Sequence, residues 1–170
     1  MKTESYELRT ILNTKFHLEE MSLEELTTFM SFALKPLNVK ELSFQIFRML
    51  PKTVSKNIST STFSKFMVEV TKSNFKEKAW MMYRLYDFDR DGVLKESDIR
   101  KAVKMILNIR ELDFLLNTNF YKQRVAEILK TMKREDSDSI SFDDFYLGLK
   151  SVKHLANFLL PIPSTNALPV

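Results

Sequence analysis

The chain contains no cysteine, two glycines, one tryptophan and two histidines in 170 residues. Without cysteine there is no disulfide framework, no thiolate metal site and no thiol nucleophile, and a reducing, cytoplasmic setting is expected. Gly92 and Gly148 are too few and too far apart for a glycine-rich phosphate loop. No stretch reaches the ~20 apolar residues of a membrane span. The opening Met1-Lys2-Thr3-Glu4-Ser5 does not read as a signal peptide, and lysine after the initiator excludes N-myristoylation of the chain as given. His17, on an expected turn, and His154, on an apolar terminal helix, are expected to be structural or solvated, so no enzymatic activity is expected.

What the chain does have is apolar residues in helical rhythm. At 44% hydrophobic, with 14 phenylalanines and nine methionines, it can bury one core or two small lobes in tandem. Scarce glycine and spacings of three and four predict helices almost throughout. Ser22-Leu23-Glu24-Glu25 is a capping-box signal, followed by an apolar stripe of Leu23, Leu26, Phe29, Met30, Ala33 and Leu34 that should stop before Pro36. Leu42, Ile46, Phe47, Met49 and Leu50 mark a second helix, ending before Pro51, and Phe63, Phe66, Met67 and Val70 a third. Ala79, Met82, Tyr83 and Tyr86 mark a fourth, and Ile99, Ala102, Val103, Ile106 and Leu107 a fifth. Val125, Ile128, Leu129 and Met132 repeat the pattern, as do Phe142, Phe145, Tyr146 and Leu149, and 161–170 reads as a loose arm.

Between the fourth and fifth helices stands "DFDRDGVLKESD", residues 87–98. A hard divalent cation takes six to eight oxygens, and a helix-flanked loop of about twelve residues supplies them from alternate positions. Asp87, Asp89 and Asp91 fall on the first three, Gly92 where the chain must turn sharply, and the Val93 carbonyl on the next. Lys95 stands where a ligand or water belongs and cannot itself be a ligand. Asp98 closes the loop where Glu is usual. One methylene shorter, it should give one oxygen instead of two, a set that suits Mg²⁺ better than Ca²⁺.

Two fainter copies share the frame. With Ile140 aligned to Leu94, a loop runs over 133–144, but Lys133 replaces the first carboxylate and Asp138 stands at the sharp turn, where a left-handed conformation is expected. Leu94 and Ile140 should pair in a short two-stranded contact, and this loop is expected to be structural. With Ile58 aligned, a loop runs over 51–62 with no carboxylate at any ligand position, and its Pro51 stands 36 residues ahead of Asp87. Residues 6–34 admit a still more degenerate copy in which no loop can be placed.

The loop, its glycine, its apolar eighth residue and its flanking helices resemble the EF-hand, and residues 40–160 resemble the calmodulin superfamily. "DFDRDGVLKESD" is similar to the third hand of the calcium- and integrin-binding proteins. "VAEILKTMK", "ISFDDFYLGL" and "LANFLLPIP" are similar to the C-terminal half of calaxin, a calcium sensor of ciliary outer-arm dynein, and calcineurin B shares the plan. The resemblance implies an all-α fold of calmodulin-like EF-hand pairs in two helical lobes: 1–76 with a degenerate hand, 77–160 with a pair, and the tail 161–170. It implies one site for Ca²⁺ or Mg²⁺ held by Asp87, Asp89, Asp91, Val93 and Asp98, and a regulatory or light-chain-like subunit of a larger partner. That partner would be gripped through an amphipathic helix in a groove lined by Met and Phe. His154 to Leu160 would fill the groove from within, as in the integrin-binding relatives. A constitutive scaffold subunit is the alternative. Relatives of this kind are commonly acidic, whereas here 26 Lys and Arg stand against 22 Asp and Glu. That balance points to an acidic partner, whether a protein surface such as a microtubule wall, an anionic membrane or nucleic acid, and the resemblance to calaxin implies tubulin or a dynein-associated protein in a cilium or flagellum. The lysines are scattered, so nucleic acid is not expected.

Overall fold

The computed structural model describes residues 19–33 and 38–159. The expectations at Tyr6, His17, Leu34 to Pro36 and Leu160, and the arm 161–170, lie outside the described residues. The fold is all-α, with two short two-stranded contacts among the helices. It divides into two units between Ser73 and Asn74. The expected boundary after 76 falls instead inside a helix, because Asn74 is that helix's N-cap.

The first unit comprises β1 (Glu20–Met21), α1 (Leu23–Ala33), α2 (Lys40–Met49), β2 (Ile58–Ser59) and α3 (Thr60–Lys72). Helix α1 starts at the expected capping box, where the Ser22 backbone N–H and hydroxyl each donate to Glu25 Oε2 at 2.8 Å. Its buried stripe is Leu26, Phe29 and Met30, with Leu23 half-buried and Ala33 exposed. Phe29 meets Phe63 of α3 edge-on at 5.7 Å. Helix α2 stops at Met49 with Leu50 as its cap, as a following proline demands.

The second unit comprises α4 (Phe75–Tyr86), β3 (Leu94–Lys95), α5 (Glu96–Ile109), a 3₁₀ turn (Asp113–Leu115), α6 (Asn119–Met132), β4 (Ser139–Ile140), α7 (Phe142–Ser151) and α8 (Lys153–Leu159). Leu94 pairs with Ile140 and Lys95 with Ser139, antiparallel, in the expected register. Helices α6 and α7 approach closely at Gly148, where a Cβ would lie 2.5 Å from Met132 Cγ. Helix α5 ends in a reverse turn in which Leu112 N–H reaches Leu107 O at 2.8 Å and Glu111 N–H reaches Asn108 O at 3.1 Å. Glu111 takes the left-handed place that glycine usually fills, with φ +57. Relief of about 1–2 kcal/mol of left-handed strain outweighs the ~0.5–1 kcal/mol of backbone entropy that glycine loses on folding. Glu111→Gly is therefore expected to raise the unfolding midpoint slightly. A lower midpoint would show that the Glu111 side chain stabilises this turn.

The register of the first unit has no counterpart among the sequence expectations. Met21 pairs with Ile58 and Glu20 with Ser59, so a strand stands where no loop could be placed. The four strands then share one local plan: an apolar strand residue, a polar one, and three residues later a side chain that bonds back. Met21, Ile58, Leu94 and Ile140 are each fully buried. Ser22 bonds Glu25; Ser59 Oγ lies 2.8 Å from Thr62 Oγ1; Lys95 N–H donates to Asp98 Oδ2 at 3.0 Å; Ser141 Oγ donates to Asp144 Oδ2 at 2.6 Å. The next residue in each, Leu26, Phe63, Ile99 and Phe145, is fully buried as well.

Candidate metal centre

Helix α4 delivers the loop. Its last turn is anchored by Tyr83, whose hydroxyl lies within donating distance of Gly92 O at 3.1 Å and Ile140 O at 2.9 Å, tying the loop to its paired strand. Burial first, then the Asp87 charge, pushes this phenol up to about 12, so it remains a donor at neutral pH.

Three carboxylates converge: Asp87, Asp89 and Asp91 each offer an oxygen, all within 4.8 Å of one another. Each also spends an oxygen on the loop's own backbone. Gly92 N–H donates to Asp87 Oδ2 at 3.0 Å, Asp91 N–H to Asp89 Oδ1 at 3.3 Å and Val93 N–H to Asp91 Oδ1 at 3.1 Å. The turn needs Arg90 at φ +63 and Gly92 at φ +88. A Cβ on Gly92 would meet nothing within 4 Å, so glycine is required there for its conformation and not for space.

The remaining oxygens define the site. Asp87 Oδ1 is buried with no hydrogen-bond partner, an exception to the rule that buried polar atoms are satisfied. The other two carry a cation already: Lys95 Nζ lies 3.1 Å from Asp89 Oδ2 and also contacts Asp91 Oδ2. That ammonium holds the Asp89 carboxyl below the usual carboxylate range, while Asp91 first and Asp89 next raise the Lys95 ammonium. An all-oxygen, multiply anionic donor set with an unsatisfied buried oxygen fits a hard divalent cation. Such an ion, when bound, would supply positive charge shared by the three carboxylates.

Asp98, expected to close the set, is not among the converging oxygens. Fully buried, it accepts Phe88 N–H on Oδ1 at 3.3 Å and Lys95 N–H on Oδ2 at 3.0 Å. Its short side chain is spent on capping α5, and desolvation holds its carboxyl above the usual range. The Val93 N–H is committed to Asp91.

The 133–144 loop is closed by the chain's own cations. Arg134 reaches Asp144 Oδ1 at 2.7 Å, and Lys133 lies 3.9 Å from Asp138. The Ser141 hydroxyl first, then Arg134, holds the Asp144 carboxyl low. The expected left-handed turn at Asp138 does not form: among the described residues positive φ falls on Lys56, Arg90, Glu111 and Gly92. Ser137 bridges the turn instead, its hydroxyl donating to Ser139 O at 2.7 Å. In 51–62, Lys56 takes that bend at φ +61, and Lys52 Nζ donates to Leu50 O at 2.7 Å.

Helix α8 packs on α5 and α7 with Leu155, Ala156, Phe158 and Leu159 buried, where His154 to Leu160 was expected to fill a groove. Tyr86, adjacent to Asp87, donates to Leu159 O at 2.6 Å, and Arg110 donates to Asn157 O and Phe158 O at 3.2 and 3.3 Å. His154 is exposed, its Nε2 2.5 Å from Glu127 Oε1. Sequence reasoning missed the roles of Lys95, Tyr83 and Arg134. Only the spacing of Lys95, four residues after Asp91, was a readable hint. Among the described residues no helix is long and apolar enough to cross a membrane. Compared with known protein-family models and with curated proteins, the chain matches none.

Proposed function

We propose that this chain is a non-enzymatic EF-hand-type regulatory or light-chain-like subunit that binds one Ca²⁺ or Mg²⁺ at Asp87 to Asp98 and holds an amphipathic helix of a larger partner. The observation that carries it is the convergence of Asp87, Asp89 and Asp91 around a buried, unpartnered Asp87 oxygen. The fourfold strand-and-cap plan supports hands in pairs. Partner binding is supported by exposed apolar surface on α4 and α7, where Phe75, Trp80 and Leu147 are exposed beside Phe142 and Tyr146. The ciliary, dynein-associated setting rests on the sequence resemblance alone.

A constitutive scaffold role is favoured by the 133–144 loop, which the chain's own side chains close. Calorimetric titration with Ca²⁺ and Mg²⁺ is expected to give one site, retained in Lys133→Ala. Two sites of comparable affinity, or loss of binding in Lys133→Ala, would refute the single-site assignment. Asp98→Glu, with the reach to serve both the cap and the ion, is expected to raise calcium affinity and its preference over magnesium. Calcium is expected to change affinity for a partner helix by about tenfold or less, the lower range of coupling between sites. A hundredfold calcium gain would establish a true switch.

A further inference from the structure

Lys95, like Arg90 a residue of the loop whose charge opposes a cation, sits on the cation's oxygens. Each of the three aspartates gives one oxygen to the backbone, and of the three left over, two hold the Lys95 ammonium. The third, Asp87 Oδ1, is buried and unpartnered. A side chain placed only to solubilise the loop would point away from it. An ammonium shared by two carboxylates of the set offsets their mutual repulsion when no metal is there.

Resting on the loop being a metal site, we propose that Lys95 is a built-in competitor: its ammonium holds the carboxylate ring in the metal-free protein, and a divalent cation binds by exchanging with it. Two consequences of opposite sign follow. The tethered ammonium stabilises the metal-free loop in a ligand-ready arrangement, and it weakens metal binding, because both ion pairs must break as the metal enters. It also reduces the rearrangement that metal entry causes, since the ring is formed beforehand. Exposed ion pairs are individually weak, and two lost together amount to a modest barrier, about tenfold in affinity.

The test compares wild type, Lys95→Met and Arg100→Met. Arg100 is an exposed cation on α5 that pairs with Glu96 at 2.5 Å, away from the three carboxylates, and controls for general surface charge. Calorimetry with Ca²⁺ and with Mg²⁺ is paired with thermal unfolding in EDTA. Lys95→Met is expected to bind Ca²⁺ about tenfold more tightly while unfolding at a lower temperature in EDTA, and Arg100→Met to stay within about threefold of wild type. Equal or weaker binding by Lys95→Met, with wild-type binding intact, overturns the competition and leaves the metal site standing. An unchanged or higher unfolding temperature in EDTA overturns the role of the ammonium in the metal-free loop. No binding of either metal by wild type and Lys95→Met at millimolar concentrations overturns the metal site itself.

Discussion

Asp87→Asn is expected to weaken divalent-cation binding by about a hundredfold or more, the scale on which loss of a charged oxygen ligand acts in sites tuned by ligand charge. The amide oxygen of the substituted side chain can still accept the Gly92 N–H that now reaches Asp87 Oδ2, so the turn should survive and the loss should fall on the cation. The buried oxygen without a partner belongs to this residue, and removing its charge removes the reason for leaving it unsatisfied. Helical content by circular dichroism should match wild type. A variant that binds Ca²⁺ within about threefold of wild type would show that the carboxylates converge for some other purpose.

Phe145→Ala is expected to destabilise the second unit by about 3–5 kcal/mol, whereas Leu147→Ala, two residues on, should stay within about 0.5 kcal/mol. Phe145 is fully buried, and its ring lies 5.6 Å from that of Tyr83. Deleting it leaves a cavity against the residue that ties the loop to its paired strand. Leu147 is 56% exposed on the same helix. The single tryptophan, Trp80, is in this unit, stacked on Tyr83 at 5.9 Å. Its fluorescence in urea therefore reports the unfolding of that unit. Equal shifts for the two variants would contradict the burial described here. A loss of Ca²⁺ affinity in Phe145→Ala would further link the packing beneath Tyr83 to the loop.

The helices were legible because helix formation is decided within a few residues. Ala79, Met82, Tyr83 and Tyr86, spaced by threes and fours, are all buried on one side of α4. The Ser22–Glu25 cap was legible for the same reason. The Leu94–Ile140 pair was also readable, because both residues occupy the same place in two copies of one frame. The first unit's Met21–Ile58 pair was not. Its copy had lost the carboxylates that reveal the frame, and only the recurring strand residue, cap and buried anchor marked it.

The sequence by itself determined helices through most of the described residues, the cap at Ser22 and the stop before Pro51, and three aspartates alternating ahead of a glycine. Each of these is set by backbone sterics and spacing along a short stretch. Only the tertiary structure decided how the charges are spent. Asp98 caps α5 instead of joining the other three, Lys95 occupies their oxygens, Arg134 closes the neighbouring loop on Asp144, and α8 lies against α5 under Tyr86 and Arg110. A carboxylate in a sequence has several partners within reach. Which one it takes depends on burial and on the position of groups brought near by folding, because the desolvation that makes one pairing favourable exists only in the packed chain.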